Sequence, residues 1–187
     1  MHTDIMIDLE TLHTRPHAVI LVLAGIKFNR YKQTFSTFEE IPKEDIFYRK
    51  IKVRSCLKIG MEIDPKTLSW WKKQKLEIRN EAFGAPRDKI EDVLSLFSKW
   101  VQKTTDPNYV KIWGHGAGFD CSILKEAYIR CELKAPWNFW NERDTRTLYD
   151  IANIKTNELP SQSKHHALYD CYRQIIGVWL SLNLILK

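Results

Sequence analysis

The sequence predicts an α/β fold, a sheet covered by helices, and three observations predict it. Apolar runs rich in β-branched residues come first, and helical periodicities and short strands alternate after them, as in a layered α/β chain. Asp8, Asp120 and Asp170 each fall at an end of a different predicted element, where α/β folds gather their sites. The 187 residues suffice for one sizeable core and are too few for two, which predicts a single domain over 1–187.

Taken in order, residues 4–12 (DIMIDLETL) read as a buried strand on which Asp8 and Glu10, two positions apart, point to one face. Arg15-Pro16 breaks the chain. Residues 18–28 form a second strand, favoured by Val19, Ile20, Val22 and Ile26. A turn at Asn29-Arg30 and a loop around Pro42 lead to residues 47–53, which alternate like a half-exposed strand. Asp64-Pro65 is an N-cap acid followed by proline, so a helix is expected from there to about Phe83, stopped by Gly84-Ala85-Pro86. Trp70 and Trp71 are adjacent on it and cannot both face one core.

Residues 88–103 are a second helix with Ile90, Val93, Leu94, Phe97 and Val101 on one face. A strand over 109–113 ends in the glycine-rich run 114–118, and a helix follows over about 121–131. A short strand is expected at 136–140, and residues 143–147 open another helix, where Asp144 reads as a support behind a ligand or as a helix cap rather than as a ligand itself. The last helix is expected to begin near 163–165 and to bury Leu168, Tyr172, Ile175, Ile176 and Trp179.

Composition narrows the function class. Apolar content of 44% and charged content of 28% suit a globular protein. A net charge of +6 tilts the chain toward a polyanionic partner. Cys56, Cys121, Cys131 and Cys171 are scattered with no C-x-x-C pair, which predicts reduced thiols and a cytoplasmic location. No charged leader precedes the first strand and no apolar run approaches a membrane span, so no membrane partner is expected.

The chemistry begins with Asp8 and Glu10. Two acids on one face of a buried strand repel, and burying them unpaired costs several kcal/mol unless a cation lies between them. A hard divalent ion with oxygen ligands is the simplest such cation. On its own the pair would equally suit a strand that ends at Ile7, with both acids solvated. Asp120 adds a third carboxylate directly after the glycine-rich run, which has no Lys-Ser/Thr of a phosphate loop behind it. Asp170 adds a fourth. His165 precedes it by five positions, and His166 by four, the spacing of a shared helix face.

Asp8-Leu9-Glu10, Phe119-Asp120 and His165-x-Ala167-x-x-Asp170 together resemble the three motifs of the DEDDh class, the DnaQ-like 3′–5′ exonucleases. The likeness is closer to the branch of phage-type exonucleases and mycobacterial exoribonuclease-like domains. It rests on Thr67-Leu68-Ser69-Trp70-Trp71, on Trp113-Gly114-His115-Gly116 running to Asp120, and on the segment 136–147. His115 stands where that branch commonly has Asn, and residues 29–45 read as a local insertion.

The resemblance implies an RNase H-like fold with a central mixed five-stranded sheet flanked by helices. It implies hydrolysis from the 3′ end of single-stranded nucleic acid, DNA favoured over RNA, with two Mg²⁺ or Mn²⁺ ions. Asp8 would bridge both ions, Glu10 and Asp170 would complete one, Asp120 would assist the other mainly through water, and His165 would be the general base. Thr11, Leu12, Trp70, Trp71, His115 and Phe119 are the candidate substrate contacts, with either tryptophan open as the residue that stacks on a base. A homodimer is compatible with this reading. The rival is a catalytically silent nucleic-acid-binding module on the same fold, against which the intact acid set argues.

Overall fold

The computed structural model describes residues 4–103, 106, 108–160 and 166–187. Its sheet has five strands: β1 (Asp4–Thr11), β2 (Ile20–Phe28), β3 (Ile46–Lys50), β4 (Lys111–Gly114) and β5 (Glu142–Asp144), in the order β3-β2-β1-β4-β5. The first three run antiparallel as a meander, while β4 and β5 add in parallel, so the sheet is mixed. β1 lies at the centre and every residue of β2 is buried, the condition of strands covered on both faces. The edge strands β3 and β5 are short and carry charge, which blunts edge pairing.

Seven α-helices accompany the strands among the described residues: α1 (Val53–Lys58), α2 (Pro65–Lys72), α3 (Leu76–Phe83), α4 (Ile90–Gln102), α5 (Asp120–Arg130), α6 (Thr145–Ala152) and α7 (Ala167–Ile185). The pleat decides which helix covers which face. Ile7 pairs with Gly25, and Phe97 and Trp100 of α4 lie against Gly25, so α4 covers the Ile5, Ile7 and Leu9 side. The other side carries Asp4, Met6, Asp8 and Glu10. There α7 docks, with Cys171 Sγ at the Met6 carbonyl and Gln174 at Asp8. Among the described residues no helix is long and apolar enough to cross a membrane.

Several expected boundaries move. The single helix expected over 64–83 is two, broken at residues 73–75. In a straight helix Trp71 and Phe83 would stand about 18 Å apart; the break folds α3 back so that their rings meet at 5.4 Å. Val53 opens α1 rather than closing β3. The strand expected at 136–140 lies instead at 142–144, behind a 3-10 turn over Phe139–Asn141 that leaves Phe139 and Trp140 exposed. The last helix starts at Ala167, because His166 is extended and occupies the cap position. The 29–45 segment packs against α7, with Phe35 on Trp179 at 4.8 Å and the Tyr172 hydroxyl on the Ser36 carbonyl at 2.7 Å.

Candidate active site

Asp8 and Glu10 share the α7 face of β1, as their spacing predicts, and Asp170 sits in the first turn of α7, where the helix dipole favours an acid. Oxygens of these three carboxylates lie within 4.8 Å of one another. Asp120 approaches from a different direction, as the first residue of α5. Its Oδ1 accepts the Leu9 N–H at 3.2 Å and its Oδ2 accepts the His115 N–H at 3.1 Å. Two backbone donors thus hold Asp120 between β1 and the glycine-rich run, outside the group of three carboxylates within 4.8 Å.

The glycine-rich run makes that approach feasible. A Cβ on Gly114 would stand 3.0 Å from both the Cβ and the Oδ2 of Asp120. Gly116 takes φ of +98°, in the left-handed region that favours glycine, and its N–H donates to Asp144 Oδ1 at 3.0 Å. Asp144 also caps α6 through the Arg146 N–H and accepts the Thr147 hydroxyl, so it ties two elements together and is no part of the acid cluster. Arg143 gives its guanidinium to the carbonyls of Trp140 and Glu142.

The acids strain one another electrically. Burial, followed by repulsion from Asp120, Glu10 and Asp170, holds Asp8 well above the ordinary carboxylate range. Burial and then Asp170 push Glu10 up to about 8. Burial pushes Asp120 up to about 7, against the pull of its two backbone donors. A cluster that holds its protons near neutrality in the absence of a cation is one that a divalent ion relieves. The all-oxygen donor set suits Mg²⁺ or Mn²⁺.

Glu10 also belongs to a cleft of about 480 Å³, lined further by Leu9, Thr11, Thr14, Asp64, Lys66, Thr67, Trp70, Trp71 and Phe119. The two tryptophans divide their work. Trp71 is buried and donates its indole N–H to the Thr11 carbonyl at 2.8 Å, while Trp70 is 42% exposed on the cleft wall. Two expected contacts lie elsewhere. Leu12 is in the core, with its N–H on Val19 and its carbonyl taken by Asp64. His115 is outside the cleft lining; burial and then Arg146 lower its pKa, and its Nδ1 shares a hydrogen bond with Thr145.

His165 lies outside the described residues. His166 stacks on Tyr48 at 5.6 Å with its Nε2 3.9 Å from Glu81, and Glu81 accepts the Tyr48 hydroxyl and pairs with Lys50 at 3.2 Å. A second group, His13, His17 and Glu62, also brings ligand-type atoms within 4.8 Å. His13 Nδ1 there accepts the N–H groups of Thr14 and Arg15, which places the neutral ring's proton on Nε2 and leaves it a donor rather than a ligand. Gln174, whose amide donates to Asp8 at 2.9 Å, escaped the motif reading, although its position four after Asp170 puts both on one helix face.

Residues 3–179 match the 3′-5′ exoribonuclease Rv2179c-like domain. An exodeoxyribonuclease of Enterobacteria phage T4 is 28% identical over 96% of this chain and 89% of its own length. Among solved structures, E. coli exonuclease I in its zinc-bound complex with single-stranded DNA superposes with a TM-score of 0.63 at 16% identity over 98% of this chain. The nuclease domain of 3′hExo, a DEDDh family member bound to rAMP, gives 0.57 at 14% identity over 97% of this chain and 92% of its own. This chain spans about 41% of the exonuclease I chain, and identities this low speak for the fold. With residues 3–179 of the 187 matched, the chain belongs to the 3′-5′ exoribonuclease Rv2179c-like family and is a 3′–5′ exonuclease.

Proposed function

We propose that the protein hydrolyses phosphodiester bonds stepwise from the 3′ end of single-stranded nucleic acid, preferring DNA. In this reading Asp8, Glu10 and Asp170 hold Mg²⁺ or Mn²⁺, two ions in all, and Asp120 takes part chiefly through water. The observation that carries it is the convergence of three carboxylates within 4.8 Å at a cleft with aromatic walls, Glu10 belonging to both. Bound ions of this kind activate water and stabilise charge on the phosphate and the leaving oxygen.

The remaining work falls to the chain. Trp70 and Phe119 offer π-faces to the terminal bases, and Lys66 brings positive charge to the same cleft. Trp71 fixes the Thr11 backbone beneath them. Asp120, occupied by two backbone N–H groups, is suited to an indirect role. His165 is assigned as general base on its motif position; the ring of His166 is engaged by Tyr48 and Glu81 and leaves that role to its neighbour. The DNA preference is supported by the phage relative, named an exodeoxyribonuclease; the family description and the rAMP-bound neighbour favour RNA as the second reading.

The experiment is degradation of 3′- and 5′-labelled single-stranded DNA and RNA, and of a circular single strand, with Mg²⁺, Mn²⁺ or EDTA. Stepwise shortening from the 3′ end, faster on DNA, with the circle intact and EDTA silent, is the expected result. Cutting of the circle, or wild-type binding with no cleavage in either metal, overturns the reading.

A further inference from the structure

Gln174 is the one uncharged side chain that donates to the acid cluster among the described residues. It lies on α7 one turn beyond Asp170 and is 7% exposed. Its Nε2 donates to Asp8 Oδ1 at 2.9 Å, and its Oε1 is buried with no donor among the described residues. The helix at this point is anchored. The Tyr149 hydroxyl donates to the Gln174 carbonyl at 2.7 Å, and that hydroxyl stands 2.2 Å from where a Cβ on Gly177 would be, so only glycine lets Tyr149 lie this close to α7.

A leucine or methionine would fill the same volume without burying an unsatisfied amide oxygen, so the amide needs a reason to be there. Asp8 supplies it. A carboxylate on a strand can rotate about its last torsion, and a ligand that rotates must be ordered when the cation binds. One N–H on Oδ1 fixes the plane and leaves the other lone pairs for an ion that Glu10 and Asp170 would share with it. The donor's neutrality matters equally. An arginine or lysine would pair with Asp8 and compete with the cation for its charge, whereas an amide orients without neutralising.

We infer that Gln174 is a positioning residue: it holds Asp8 in the orientation that binds the divalent ion, without being a ligand itself. The inference rests on the reading that Asp8, Glu10 and Asp170 hold such an ion. The test is Gln174→Met, which keeps length and volume and removes the donor, with Gln174→Ala alongside should the methionine variant fail to fold. Mn²⁺ binding is measured by calorimetry, melting in EDTA, and kcat and KM on a labelled oligonucleotide.

The expected result is Mn²⁺ affinity weaker by about tenfold, the usual cost of losing an outer partner of a metal ligand. Melting in EDTA should be near that of wild type, and kcat at limiting Mn²⁺ should fall while the oligonucleotide KM holds. Wild-type protein that binds no Mn²⁺ would overturn the underlying metal reading. Wild type that binds, with Gln174→Met binding as tightly within twofold, overturns the positioning role alone. A variant that melts far lower in EDTA with unchanged Mn²⁺ affinity assigns Gln174 to packing, and overturns it as well.

Discussion

Residue identity matters most where charges meet. Asp8 is repelled by Asp120, Glu10 and Asp170, so its removal takes out the acid at the centre of the cluster. Asp8→Ala is expected to abolish nuclease activity while the purified protein keeps its far-UV spectrum; activity within tenfold of wild type would refute the ion-binding role. The adjacent histidines separate in the same way. His165→Ala should lose about 10²–10⁴ in kcat, the ordinary worth of a positioned base, and keep its Mn²⁺ affinity. His166→Ala should cost far less, because that ring stacks on Tyr48 and faces Glu81. A pH–rate series on one labelled oligonucleotide reads both, since the limb that rises through the base's pKa should vanish only in His165→Ala. The reverse pattern would shift the register of the last motif by one.

At the scale of elements, the break between α2 and α3 decides what the tryptophan pair does. Folding α3 back gives Trp71 a wall in Phe83 and leaves its indole N–H on the strand that carries the acids, while Trp70 stays on the cleft side. Trp71→Ala is therefore expected to cost about 3–5 kcal/mol of stability, as for other large aromatic cores. Trp70→Ala should leave denaturant unfolding nearly unchanged and weaken oligonucleotide binding by about 1–3 kcal/mol, the scale of one lost base stack. Urea melts and fluorescence-anisotropy titrations of the two variants make the comparison, and a stability loss in Trp70→Ala equal to that in Trp71→Ala would erase the division. The insertion read at 29–45 is likewise more than a surface excursion, since Phe35 and Ile41 are buried and Tyr172 of α7 holds the Ser36 carbonyl.

The whole molecule carries the cluster's repulsion as a term in its stability. Glu10 goes from 4.5 to about 8 and Asp120 from 3.8 to about 7 on folding, burial being the leading cause for each. Because both folded values are raised, the metal-free fold binds more protons than the unfolded chain across that interval. Its stability is greatest below pH 4 for these groups and is lost as pH rises through 7 to 8. In EDTA the melting temperature should accordingly fall between pH 5 and pH 8.5. Saturating Mn²⁺ should remove the fall and add about 2.7 kcal/mol at a hundred times Kd for one site. Scanning calorimetry across pH with and without Mn²⁺ measures it, and a melting temperature that ignores Mn²⁺ at every pH would contradict a cation at the acids.

The sequence by itself determined the strands β1 and β2, the buried stripe of α4, the shared face of Asp8 and Glu10, and the cap at Asp64. Each of these is a property of neighbours along the chain: a period of 2 or 3.6, or a side chain reaching the next turn. Only the tertiary structure decided that Asp170 joins Asp8 and Glu10, and that Asp120 turns its oxygens onto the Leu9 and His115 N–H groups. It also decided that Leu12 sits in the core, away from the cleft, and that Gln174 reaches Asp8 across 166 positions. These depend on strand register and on which face each crossing helix covers, and no local pattern encodes either. The α2–α3 break belongs with them, because the contact between Trp71 and Phe83 rewards a bend that the helical pattern alone would not place.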